Sequence, residues 1–137
     1  MENRIEVLIA DDQPRARASL KALLSTLPQI ERVREAVNGC DGIQLIEEQQ
    51  PDLVFFDVRM PGMDGLEATR LVKARWPKIK IIVLSLYGDY ASEALAAGAD
   101  AFFSKGQDPR RLLETVVTLI FAHADRRAQM ESAPSEN

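Results

Sequence analysis

Short, nearly unbroken apolar runs alternate along this chain with longer stretches whose apolar residues return every three or four positions. The clearest run is Leu53, Val54, Phe55 and Phe56, which stops at the carboxylate of Asp57 and is followed by Met60-Pro61-Gly62-Met63-Asp64-Gly65. A short apolar run without a polar break reads as a strand buried on both faces, and such strands belong to parallel sheets covered by helices. The Pro- and Gly-rich segment is turn chemistry, so Asp57 falls where a strand gives way to a loop. Ligands of open α/β sheets gather at the carboxyl ends of the strands.

In chain order, Ile5–Ala10 predicts a first strand, ending at Asp11-Asp12-Gln13-Pro14, where aspartate ahead of proline signals a helix start. Leu20, Leu23, Leu24 and Leu27 give that helix its apolar stripe, and Pro28 closes it. Residues 33–37 form a weaker strand with charges inside it, placed at a sheet edge, and Asn38-Gly39 is a turn. A helix burying Ile43, Leu45 and Ile46 then runs up to Gln49-Gln50-Pro51. After the Asp57 strand, residues 64–75 predict a helix carrying Leu66, Ala68, Leu71 and Val72, broken at Trp76-Pro77-Lys78. Residues 79–85 are a strand ending on the Ser85 hydroxyl. Gly88-Asp89 opens a helix of small residues, Ala91, Ala94, Ala96 and Ala97, capped by Gly98. Residues 99–104 are a fifth strand ending at Lys105-Gly106. Asp108 and Pro109 start a last helix with Leu112, Leu113, Val116, Val117 and Ile120 on one side. Five strands alternating with five helices predict a doubly wound (βα)5 α/β fold: a parallel sheet with right-handed crossovers and helices on both faces.

Composition narrows the picture. A chain of 137 residues with 46% hydrophobic and 28% charged content is one globular domain. We place that domain at residues 1–128, with 129–137 as a polar tail or the start of a linker. The net charge of −4 offers no basic field for nucleic acid or anionic lipid, and no apolar run approaches membrane-spanning length. The single cysteine, Cys40, excludes an internal disulfide and is expected to be an exposed thiol. A strand directly after the first residues leaves no leader to read, so the expected location is cytoplasmic.

Four strands end in polar groups at the same edge of the sheet: Asp11 and Asp12, Asp57, Ser85 and Lys105. Neighbouring strands lie about 4.8 Å apart, so these groups converge in one cleft if the strand order allows it. Two carboxylates ~5 Å apart repel by roughly 3 kcal/mol at an effective dielectric of 20, a cost that calls for a balancing cation. An oxygen-only, strongly negative ligand set suits Mg²⁺, which keeps several waters and is completed by a phosphate oxygen. The lysine and the hydroxyl then meet the remaining phosphate oxygens. That combination fits metal-assisted phosphoryl transfer to a carboxylate nucleophile. Singly, Asp12 reads as a helix cap and Ser85 and Lys105 as structural or solvated groups; their joint placement points to chemistry.

From about Arg4 to Phe121 the chain resembles the receiver domain of two-component response regulators, of the kind usually fused to helix-turn-helix output domains. The resemblance rests on Asp11-Asp12, on Asp57-Val58-Arg59-Met60-Pro61-Gly62-Met63-Asp64-Gly65, on Val83-Leu84-Ser85 and on Phe102-Phe103-Ser104-Lys105. It implies a flavodoxin-like three-layer sandwich with strand order 2-1-3-4-5. It also implies phosphorylation of Asp57 by a sensor histidine kinase or phosphotransfer protein. Asp12 and Asp57 would bind Mg²⁺ directly and Asp11 through water, with the main-chain carbonyl of Arg59 as a further ligand. Ser85 and Lys105 would contact the phosphoryl group, and Phe102 would turn inward with Ser85 as the switch, altering the surface around the fourth helix, fifth strand and last helix. The implied molecule is a signalling domain and not a conventional enzyme.

Several positions depart from the usual pattern. Leu86 follows the switch hydroxyl where relatives often carry a small residue, which bears on phosphoryl access. Gly106 replaces a frequent proline, Phe102 stands in place of tyrosine, and Arg59 and Tyr87 flank the cleft. The last helix adds Leu119 and Phe121 to its core stripe, which fits a dimer or partner surface better than docking of the chain's own continuation. His123, Asp125, Arg126 and Arg127 read as surface residues. Two other functions are weighed. A haloacid-dehalogenase-like phosphatase needs a second carboxylate two residues after the nucleophile, where this chain has Arg59. A receiver-like interaction module that works without phosphate would not need the full set of site residues.

Overall fold

The strands form where the apolar runs predict them, and alternation within each strand decides which helix covers it. The computed structural model describes residues 4–86 and 88–132, with side chains of the last helix described up to residue 122. The elements are β1 (Ile5–Ala10), α1 (Pro14–Leu24), β2 (Ile30–Ala36), α2 (Gly39–Glu48), β3 (Leu53–Asp57), α3 (Gly65–Arg75), β4 (Lys80–Ser85), a 3-10 turn (Gly88–Tyr90), α4 (Ala91–Ala96), β5 (Ala101–Ser104) and α5 (Pro109–Ser132). The five strands are all parallel, in the order β2-β1-β3-β4-β5. This is the expected flavodoxin-like order, with β1 and β3 adjacent at its centre.

Successive side chains of a strand point to opposite faces. Leu8, Ala10, Val54, Phe56, Ile81 and Val83 therefore pack on one face with Ile46 of α2, Ala68 and Val72 of α3, and Ala94 of α4. Val7, Ile9, Leu53, Phe55, Ile82 and Leu84 pack on the other with Leu20 and Leu24 of α1 and Val116 and Ile120 of α5. All of β3 and β4 is buried, and Phe55 and Phe56 are fully enclosed on opposite faces. Truncating either phenylalanine to alanine removes about 3–5 kcal/mol of stability.

The differences from the sequence reading have local causes. β2 starts at Ile30 and ends at Ala36, earlier than 33–37, because its charged residues flank an edge strand and need no burial. Asn38 is not a turn residue but the N-cap of α2, accepting from the Asp41 amide at 2.8 Å. Leu27 lies beyond the end of α1 yet still packs on the second core, while Leu71 faces solvent at 42% exposure. Gly88 and Asp89 form the 3-10 turn and α4 begins only at Ala91, as expected of two poor helix formers. β5 is confined to Ala101–Ser104, since Asp100 turns its amide to the Ile81 carbonyl. Cys40 is exposed, as expected. α5 runs to Ser132, past the point where a polar tail is expected to begin. Leu119 packs on the second core, so of the two added apolar positions only Phe121, 55% exposed, faces outward. The expectations for Tyr87, for the side chains of His123, Asp125, Arg126 and Arg127, and for residues 133–137 lie outside the described residues. Among the described residues no helix is long and apolar enough to cross a membrane.

Candidate functional site

The carboxyl edge of the sheet collects the polar strand ends. Asp57 is the last residue of β3 and is 8% exposed; Asp11, just after β1, is 4% exposed, whereas Asp12 beside it is open to solvent. One carboxylate oxygen from each of Asp11, Asp12 and Asp57 lies within 4.8 Å of the others. Lys105, just after β5, places its Nζ 2.8 Å from Asp11 Oδ2 and 2.9 Å from Asp57 Oδ1. Its main-chain amide donates to the Ser85 carbonyl at 2.6 Å, which ties the lysine loop to the end of β4. Asp11 and Asp57 thus share one ammonium, with Asp12 beside them.

Burial pushes the Asp57 carboxyl above its ordinary range, ahead of the opposing hydrogen bond from Lys105, and the charges of Asp11 and Asp12 add to the rise. For Lys105 burial alone would lower the pKa, but hydrogen bonds and charge from Asp11 and Asp57 outweigh it and the group is held above its ordinary value. Lys105 therefore stays an ammonium, while Asp57 bears the cost of burial together with repulsion from its acidic neighbours.

The acidic loop is tight. The Asp11 amide donates to Ala36 O at 3.1 Å, and Asp11 Oδ1 accepts from the Gln13 amide at 2.9 Å. The N-cap of α1 is Gln13, with no side-chain cap hydrogen bond, so Asp12 is not the helix cap that its position before proline suggested. On the other side of Asp57, a side chain at Gly65 would collide with the Asp57 carbonyl, so only glycine lets α3 begin this close to the site. Asp64 caps α3 through a 2.8 Å bond to the Glu67 amide. Gly106 has φ +99°, the left-handed conformation that favours glycine where Lys105 turns back toward the acids.

Ser85 is buried at the end of β4, and Val83 pairs with Phe102 across the β4–β5 ladder. Val83 and Phe102 both pack on the first core, and Ser85, two residues beyond Val83, lies on the same face of its strand. Phe102 is half-buried. Arg59 is exposed and its guanidinium donates to the Tyr90 hydroxyl at 3.3 Å, its carbon lying 6.0 Å from the ring centre. Asp12, Arg59, Asp64 and Tyr90 line an open cleft of about 470 Å³. Leu86 is 63% exposed. Sequence reasoning missed Tyr90, whose place beside Arg59 depends on a turn, and Arg17, whose Nη1 donates to the Asp11 carbonyl at 2.7 Å. In sequence Arg17 looks like any solvated helix charge.

A parallel sheet of order β2-β1-β3-β4-β5 with this acid and lysine set defines a flavodoxin-like, CheY-like receiver fold. The family model described as response regulator receiver domain matches residues 7–117, and the chain belongs to that family. It is the receiver domain of a two-component response regulator. Its sequence is 35% identical to the transcriptional regulatory protein DegU of Brevibacillus brevis, over 84% of this chain and 50% of that protein. It is 38% identical to the nitrate/nitrite response regulator protein NarL of Escherichia coli K12, over 80% of this chain and 52% of that protein. The chain thus spans about half the length of the curated relatives it matches. Among solved structures, a CheY-like response regulator receiver domain protein from Methanospirillum hungatei superposes with a TM-score of 0.81 at 28% identity, covering 90% of this chain and 98% of that one.

Proposed function

We propose that this receiver accepts a phosphoryl group on Asp57 from a phosphohistidine of a sensor histidine kinase or phosphotransfer protein, and that the reaction depends on Mg²⁺. The observation that carries the reading is Asp57 at a strand end, hydrogen-bonded to Lys105 and crowded by two further carboxylates. A buried acid surplus that serves only the fold would be costly; one that holds a divalent cation is explained.

The donor set fits Mg²⁺: every candidate ligand is an oxygen, the acids converge, and Asp12 opens to solvent, from which waters would complete the shell. Asp12 and Asp57 would hold the ion directly, Asp11 through water, with the Arg59 carbonyl as a further ligand. When bound, Mg²⁺ supplies charge neutralisation for the incoming phosphoryl oxygens. A carboxylate oxygen of Asp57 attacks phosphorus, the bond from phosphorus to the donor imidazole breaks, and the imidazole leaves. The product is an acyl phosphate on Asp57. Lys105 shifts its ion pair from the carboxylate to a phosphoryl oxygen, which keeps the ammonium within reach throughout. Ser85 donates its hydroxyl to another phosphoryl oxygen, and the space it leaves is taken by Phe102 from the neighbouring strand. Both side chains lie on the face that carries α4, so the surface of α4, β5 and α5 changes with phosphorylation state. Such a domain works in the cytoplasm, reports to an output domain or partner through that surface, and touches neither DNA nor membrane itself.

The test is incubation with a small acyl phosphodonor and Mg²⁺, reading intact mass and oligomeric state together. The wild type gains one phosphoryl group and Asp57→Asn gains none. Uptake that persists in Asp57→Asn, or no uptake by the wild type, refutes the assignment. A dimer that forms only with phosphate supports the last-helix surface bearing Phe121; an unchanged monomer removes it.

A further inference from the structure

Arg17 stands near the start of α1 with its side chain 14% exposed. Its fork grips two parts of the molecule at once: Nη1 donates to the Asp11 carbonyl at 2.7 Å, and Nε to Glu35 Oε1 of β2 at 2.9 Å. Lys21, a turn further along the helix, also reaches Glu35, at 3.5 Å. The hydrogen bond from Arg17 holds the Glu35 carboxyl below its ordinary value, so the anchor stays charged.

The peptide between Asp11 and Asp12 is planar, so fixing the Asp11 carbonyl fixes the direction in which Asp12 leaves. The loop's other restraints hold Asp11 and Gln13: the Asp11 amide donates to Ala36, and the Asp11 carboxylate accepts from Lys105 and, across Asp12, from the Gln13 amide. The N-cap residue contributes no side-chain hydrogen bond. A charge-assisted bond is roughly twice as strong as a neutral one, and a guanidinium holds two acceptors in fixed geometry where an ammonium does not.

We propose that Arg17 is a positioning residue for metal-dependent phosphoryl transfer: it sets the Asp11–Asp12 peptide so that Asp11 faces Lys105 while Asp12 stays at the open mouth. Glu35 holds the guanidinium in place. The inference rests on the Asp57 reading above and extends it to residues outside the acid cluster. Groups that orient metal ligands contribute 10–100-fold to metal affinity or activity in other sites, about 10-fold at the lower end.

The experiment measures Mg²⁺ binding by titration calorimetry without phosphodonor, and then the Mg²⁺ dependence of phosphorylation, on the whole chain. Arg17→Ala weakens Mg²⁺ about 10-fold, and the Mg²⁺ concentration at half-maximal phosphorylation rises by the same factor. Arg17→Lys recovers part of the loss, since one ammonium satisfies one acceptor. Arg32→Ala, which breaks the 3.0 Å pair with Glu6 on the same edge strand, keeps wild-type affinity. Wild-type affinity in folded Arg17→Ala overturns the proposal, as does an equal loss in Arg32→Ala. If Arg17→Ala does not fold at the assay temperature, Glu35→Gln decides: a weakened Mg²⁺ affinity supports the proposal and an unchanged one overturns it. A wild type that neither binds Mg²⁺ nor takes up phosphate refutes the Asp57 reading itself, and Arg17's role with it. A wild type that does both, with Arg17→Ala unaffected, overturns only Arg17.

Discussion

The two ends of the sheet handle buried charge in opposite ways. At the amino end, Asp100 accepts from the Ile81 amide at 2.9 Å and pairs with Lys73 at 2.9 Å, with Lys80 4.0 Å away. Asp52 accepts from the Glu6 amide at 2.9 Å. There Asp100 meets two lysines and a main-chain donor, and Asp52 meets a main-chain donor. At the carboxyl end, among the described residues, Asp11 and Asp57 share Lys105, Asp11 also accepts from the Gln13 amide, and the exposed Asp12 lies beside them. One cluster is balanced and fastens β4 to its neighbours. The other is in surplus by two negative charges, and its deficit is what a cation and a phosphoryl group would relieve. Buried charge is therefore informative through its balance and not through its presence.

Substitutions separate the two ends. Asp100→Ala strips Lys73 of its carboxylate and Ile81 of its acceptor, and is expected to lower stability by about 3 kcal/mol, with no recovery in Mg²⁺ and normal phosphoryl uptake. Lys105→Met removes the ammonium that Asp11 and Asp57 share and is expected to lower metal-free stability by about 2 kcal/mol, less because Asp57 can take up a proton. Added Mg²⁺ restores that loss. Urea melts with Mg²⁺ and with chelator measure both; recovery of Asp100→Ala by Mg²⁺, or none for Lys105→Met, breaks the comparison. A smaller effect is expected in the wild type, where Mg²⁺ at ten times its Kd adds about 1.4 kcal/mol, and chelator removes it.

The finest contrast is in pH. The folded-state pKa of Asp57 is raised, so its ionisation opposes folding, and that penalty is present above the folded pKa and fades as pH falls through it toward the unfolded value. In metal-free buffer Asp57→Asn is expected to melt above the wild type at neutral pH, with the gap closing on acidification. A gap that widens instead means that the Lys105 hydrogen bond outweighs burial.

Much of this was legible in the residues. The unbroken run Leu53 to Phe56 fixed a buried strand, and the shared edge then followed from alternation, because a parallel sheet puts every strand end on one side. The candidate site's placement was readable for the same reason: Asp11, Asp57, Ser85 and Lys105 each sit at or just beyond a strand end, where position along the sequence is position in space. Helix faces were harder. Leu71 looks like a core residue, yet Leu66, Thr69 and Val72 take the inward positions of α3, and Thr69 is buried because its hydroxyl donates to the Gly65 carbonyl at 2.7 Å. Arg17 and Tyr90 were invisible because their contacts, with the Asp11 carbonyl and with Arg59, depend on loops and turns whose path no periodicity records.

The two borders of the sheet have a further consequence, for how this protein behaves in concentrated solution. A parallel sheet of five strands leaves two rims on which a neighbouring chain could add a strand. β2 fills one with Glu31, Arg32, Arg34 and Glu35, and the guanidinium of Arg34 turns back to the carbonyls of Leu45 and Gln49 at the end of α2. β5 leaves the other only four residues long. A charged rim and a short rim are poor templates, so the described sheet is poorly suited to seed the strand-by-strand growth that turns exposed sheets into fibrils.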